Sequence, residues 1–128
     1  MIIRQQLIQE TEFIRLVADL ELDPHSPISL LKAGMQACER SQQCRLLLEM
    51  PTVGPVAMLS RVILGFGMAD AYEQASKHMS VSVRVAALGN TDLVTEVRPV
   101  EDEFVSRGLP FRTFDNEPEA LSWLLMED

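Results

Sequence analysis

Positive charge is in short supply in this 128-residue chain: 11 Lys and Arg stand against 19 Asp and Glu, a net charge of −8. Neutralising a phosphate backbone needs a clustered basic surface, so nucleic acid is excluded as a partner. No run of about 18 apolar residues occurs, so no membrane-spanning helix is expected. Met1 to Gln6 is too short and polar for a signal h-region. Cysteine is limited to Cys38 and Cys44. A disulfide between them is conceivable, but two buried, inert thiols in a reducing, cytoplasmic setting is the expectation.

The usual sets of chemical residues are missing too. Gly65-Phe66-Gly67-Met68-Ala69-Asp70 lacks the third glycine of a dinucleotide fingerprint and does not follow a strand, so no cofactor is expected. Asp19, Glu21, Asp23 and His25 alternate at strand spacing, which reads as a solvated edge rather than a metal site. A Cys–His enzyme would have to draw on Cys38, Cys44, His25 and His78, and nothing in their spacing unites them. The chain therefore reads as a non-enzyme with no catalytic, cofactor or metal residues. Activity dependent on Cys44 or His78 is the distant alternative.

What is present describes an ordinary globular protein: 47% hydrophobic and 23% charged residues, read as one domain over 1–128. Ile2–Ile8 and Thr11–Leu22 read as a β-hairpin. Ser26 and Pro27 suit the N-cap and first position of a helix to about Arg40, with Ile28, Leu31, Met35 and Cys38 on one face. Cys44–Met50 is a continuous apolar run, typical of a central strand buried on both faces. After the turn Pro51–Pro55, a long helix reaches about His78, with Leu59, Val62, Ile63, Phe66, Ala69 and Tyr72 inward. Gly65 and Gly67 weaken that helix and open it to close approach by another backbone. Ser82–Gly89 is a strand. Following an irregular stretch, Pro99 opens a helix whose first turn, Glu101-Asp102-Glu103, complements its dipole; Val100 pairs with Phe104 and Gly108 stops it.

The C-terminal segment carries the strongest local signal. Leu109–Phe114 is a short strand leading into a helix capped by Asn116, with Glu119 placed to complete a capping box. Ala120, Leu121, Trp123 and Leu124 share a face, and Trp123 is expected to be buried against Phe114 and the helix beginning at Pro99. The fold class is α/β: a mixed sheet of about five strands, an N-terminal hairpin then parallel strands joined by helical crossovers, with about four helices. Residues 101–128 hold eight Asp and Glu against two Arg, an acidic and solvated face. Seven methionines fill core gaps or line a malleable apolar groove.

This order, with Arg112-Thr113-Phe114-Asp115 and Ala120-Leu121-Ser122-Trp123-Leu124 at its end, resembles the STAS-like, SpoIIAA-like small bacterial proteins. Arg84–Leu88 is similar to that family's fourth strand, Phe104–Gly108 to the helix end before the fifth, and Leu46–Glu49 to the third strand. The resemblance implies a cytoplasmic, non-enzymatic regulatory module whose partner is another protein, or a second copy in a homodimer. It places the contact surface on the loop after the third strand and the start of the next helix: Thr52, Val53, Gly54, Pro55 and Ser60. Family antagonists carry a phosphorylatable serine there, and this chain has no Asp-Ser pair at that place. The alternative reading is a module for a small apolar or lipid-like ligand, held beside the methionine-rich helices.

Overall fold

The computed structural model describes residues 4–9, 12–19, 25–49, 58–89 and 91–126. The elements in chain order are β1 (Arg4–Gln9), β2 (Ile14–Asp19), α1 (His25–Ser41), β3 (Arg45–Glu49), α2 (Met58–Ser76), β4 (Arg84–Leu88), α3 (Thr91–Ser106), β5 (Phe111–Phe114) and α4 (Glu117–Leu124). The strands lie in the spatial order β1-β2-β3-β4-β5. The sheet is mixed: β2 to β5 are its four parallel strands, and β1 lies antiparallel along the edge at β2, with Leu7 opposite Leu16.

Alternation along the strands sorts the core into two layers. Ile14, Leu16, Leu46, Leu48, Val85, Ala87 and Phe111 face α1, α2 and α3. Phe13, Leu47, Ala86 and Leu88 face the other way, where Ala120 and Leu124 of α4 cover them. Leu46, Leu47 and Leu48 are all at most 1% exposed, as a strand covered on both faces requires. Phe104 is the largest fully buried side chain of the first layer; its ring meets Phe111 at 4.4 Å and Tyr72 edge-on at 5.8 Å. The Tyr72 hydroxyl donates to the Val83 carbonyl, so its burial leaves no unpaired group.

Several boundaries differ from the sequence reading. β2 begins only at Ile14, after a bend at Glu12 and Phe13, while residues 20–22 of the expected strand lie outside the described residues; α1 opens at His25, so Ser26 and Pro27 sit inside its first turn. Pro99 does not open α3; it lies within it, and Glu101-Asp102-Glu103 is mid-helix. An internal proline costs about 3 kcal/mol, which tertiary packing must offset. At this point α3 runs against α2: a Cβ on Gly65 would stand 3.3 Å from the Pro99 carbonyl oxygen and 3.4 Å from the Val100 Cα. The close approach expected of Gly65 is therefore made by the α3 backbone.

Phe66 is a second correction. It is 50% exposed, under the Arg107 guanidinium at 5.9 Å, while Met68 turns inward with Ala69 and Tyr72. Beyond Ser60 and Arg61 the first half of α2 is nearly all apolar, so spacing alone does not choose its buried side. Trp123 is only partly buried, and lies on the α4 side of the sheet, away from α3. It stacks obliquely on Phe114 at 5.8 Å, with the Arg84 guanidinium over its face at 5.4 Å.

The end of α3 follows the sequence expectation closely. Leu109 N–H donates to the Phe104 carbonyl and Gly108 N–H to the Val105 carbonyl, a Schellman stop with Gly108 at φ +70°. Open space surrounds that Cα, so a side chain there meets only backbone strain. Gly108→Ala should destabilise the protein by about 1 kcal/mol, read as a lower urea midpoint at unchanged slope.

Candidate interaction site at the exit of the central strand

The carboxyl ends of parallel strands are where α/β proteins present their sites. Here that end gathers the exit of β3 and the entry of α4. Thr52, Val53, Gly54 and Pro55, the loop named from the sequence, lie outside the described residues. Ser60 is the third residue of α2, with only its backbone described. Glu49, the last residue of β3, stands immediately before this stretch.

Arg15 organises the surroundings of Glu49. It leaves β2 on the α4 side of the sheet, and its Nη1 donates to Glu49 Oε2 at 3.0 Å and to Glu117 Oε1 at 2.5 Å. Its guanidinium also lies 5.7 Å from the centre of the Phe13 ring. The Arg15 side chain is 19% exposed, so part of its hydration has been exchanged for these carboxylates. Burial works against its charge, but hydrogen bonds and attraction to Glu117 and Glu49 outweigh that and hold it more firmly protonated than usual.

Glu117 reaches this position because α4 starts where the sequence places it. Asn116 has an extended backbone, and its Oδ1 accepts from the Glu119 N–H at 2.9 Å. Among the described residues, the Glu119 carboxylate makes no return bond, so only half of the capping box is realised. At the other end Arg84 Nη1 donates to the carbonyls of Trp123 at 3.0 Å and Met126 at 2.7 Å. Neither arginine was singled out from the sequence as a tie. The signal was faint: Arg15 and Glu117 are 102 residues apart, and only the sheet order joins them.

The remaining candidates stay apart. Cys38 is fully buried; burial first, then the nearby Cys44, pushes its thiol up to about 12. Cys44 is exposed, against expectation, because β3 begins one residue later and the apolar run proper starts at Leu46. His78 is exposed beyond the end of α2 and shares no hydrogen bond with Cys44. Of the run Asp19, Glu21, Asp23 and His25, Asp19 closes β2 and His25 opens α1, while Glu21 and Asp23 lie outside the described residues. Among the described residues no three His, Cys, Asp or Glu side chains converge as metal ligands, and no helix is long and apolar enough to cross a membrane.

No protein-family model matches the chain, and no curated protein matches its sequence. The fold does have a known likeness. A solved structure of an anti-sigma factor antagonist from Mycobacterium paratuberculosis superposes with a TM-score of 0.58, at 10% identity. The match covers 97% of this chain and 95% of that one. The fold is STAS-like.

The buried thiol yields a pH prediction. Cys38 keeps its proton to about pH 12 when folded, against an ordinary value of 9.0. Between these limits the unfolded chain releases a proton that the folded one retains, so stability falls as pH rises above about 9. Cys38→Ala should flatten that decline. In the native protein at neutral pH, iodoacetamide should modify Cys44 and spare Cys38, as mass spectrometry of the peptides would show.

Proposed function

We propose that this chain is a regulatory module, non-enzymatic and cytoplasmic, that works by protein–protein contact as one STAS-like unit over residues 1–128. The observation that carries the reading is the end-to-end fold match to an anti-sigma factor antagonist, with neither chain leaving a large part uncovered. The partner proposed by that analogy is a regulatory protein of the anti-sigma factor kind. The docking surface is Thr52, Val53, Gly54 and Pro55 with the start of α2 at Ser60. Two features support this placement: the loop follows a strand buried on both faces, and the last described residue before it, Glu49, is tied down by Arg15.

Affinity capture from the source organism should retain a specific partner on the wild-type chain. Thr52→Glu, a change of charge at the loop, should lower retention about tenfold or more, equivalent to roughly 1.4 kcal/mol, with the thermal midpoint unchanged. Equal retention by both chains would refute the surface.

A second reading rests on a concavity of about 450 Å³ between the ends of α1 and α2, floored by Ala75 and Met79 and rimmed by Gln36, Glu39, Arg40 and His78. Its size suits a small apolar ligand. Native mass spectrometry of freshly purified protein should then show a copurified adduct, displaced in a Met79→Glu variant. A bare chain mass in every preparation would dispose of this reading.

A further inference from the structure

α4 has eight residues, too few to hold a helix in water without tertiary support. It is the described helix covering Leu47 and Ala86 on its side of the sheet, through Ala120 and Leu124. Both of its ends are held by arginines rising from the strands: Arg15 at Glu117 and Arg84 at the last carbonyls. The Arg15 end differs in kind, because the same nitrogen that holds Glu117 also holds Glu49. One guanidinium thus joins the exit of β3 to the entry of α4.

We propose that Arg15 is a positioning residue coupling the end of β3 at Glu49 to the anchoring of α4, so that drawing Glu49 away tightens the hold on Glu117. The sign follows from charge. Two carboxylates compete for one cation and repel each other, so removing one leaves the other a larger share of its attraction. A partner engaging the connection next to Glu49 would therefore be registered at α4, which lies on the face opposite α2. The proposal rests on the docking reading only for what pulls on the connection. The coupling itself belongs to the free chain.

Backbone amide exchange on the full chain tests it without any partner. Glu49→Gln should slow exchange of the α4 amides, including Ala120 and Leu125, roughly threefold, a modest coupling for groups sharing one partner. Arg15→Met should speed that exchange, and Glu49→Gln added to it should then have no effect on α4. Should Arg15→Met loosen the whole sheet, Glu117→Gln supplies the same control from a 44% exposed side chain. There too Glu49→Gln should leave α4 unchanged. The proposal is overturned if Glu49→Gln does not slow α4, or slows it equally with Arg15 or Glu117 replaced. Equal partner retention by the wild-type and Thr52→Glu chains, with this coupling intact, would reject the docking reading alone.

Discussion

The burial of β3 on both faces is the constraint from which the rest of the architecture follows. Leu46 and Leu48 point to one layer and Leu47 to the other, all shielded from water. A strand of this kind needs a neighbour on each edge and a cover on each side. β2 and β4 supply the edges in parallel register, which obliges each connection to cross over as a helix. α1 lies so close that a Cβ on Gly34 would come within 2.6 Å of Leu46 Cδ2. On the other face the cover is the short helix α4, which explains why its ends are tied so explicitly.

Those ties show how an acidic protein uses few cations. Arg15 and Arg107 each gather several carboxylates. Arg107 bonds Asp70, Glu73 and Glu103 at 2.7 Å each, joining α2 to α3 where Phe66 is left outside. Single exposed ion pairs contribute little to stability. Here the shared cations act as joints: Arg107 ties α3 to α2, and Arg15 ties the paired strands β2 and β3 to α4. Glu101 plays a related part at the free edge of β5, accepting from the Thr113 N–H at 2.8 Å and leaving that donor unavailable to another strand.

The functional reading draws on the same geometry. A fold hosts many unrelated sites, so a STAS-like architecture does not by itself assign an activity. What the architecture does place is Glu49, at the carboxyl end of a strand buried on both faces and within a charged joint. A docking loop benefits from such a mount, because rigid flanks reduce the ordering cost of binding.

Order and type of elements were legible in the sequence because they rest on local chemistry. The Asn116 cap, the stop at Gly108, the buried run Leu46–Leu48 and the inward face Leu31, Met35 and Cys38 all depend on residues within a few positions of one another. The start of α3 was legible in principle, since Leu93, Val97, Val100 and Phe104 keep helical spacing, but Pro99 reads locally as a helix start. Its tolerance inside the helix was decided by packing against Gly65. Tertiary structure alone decided which side of α2 faces the core, that α4 crosses to the opposite layer with Trp123 half-covered, and that Arg15 meets Glu49 and Glu117. Each depends on contacts between residues tens of positions apart, which no local pattern encodes and which sheet order alone brings together.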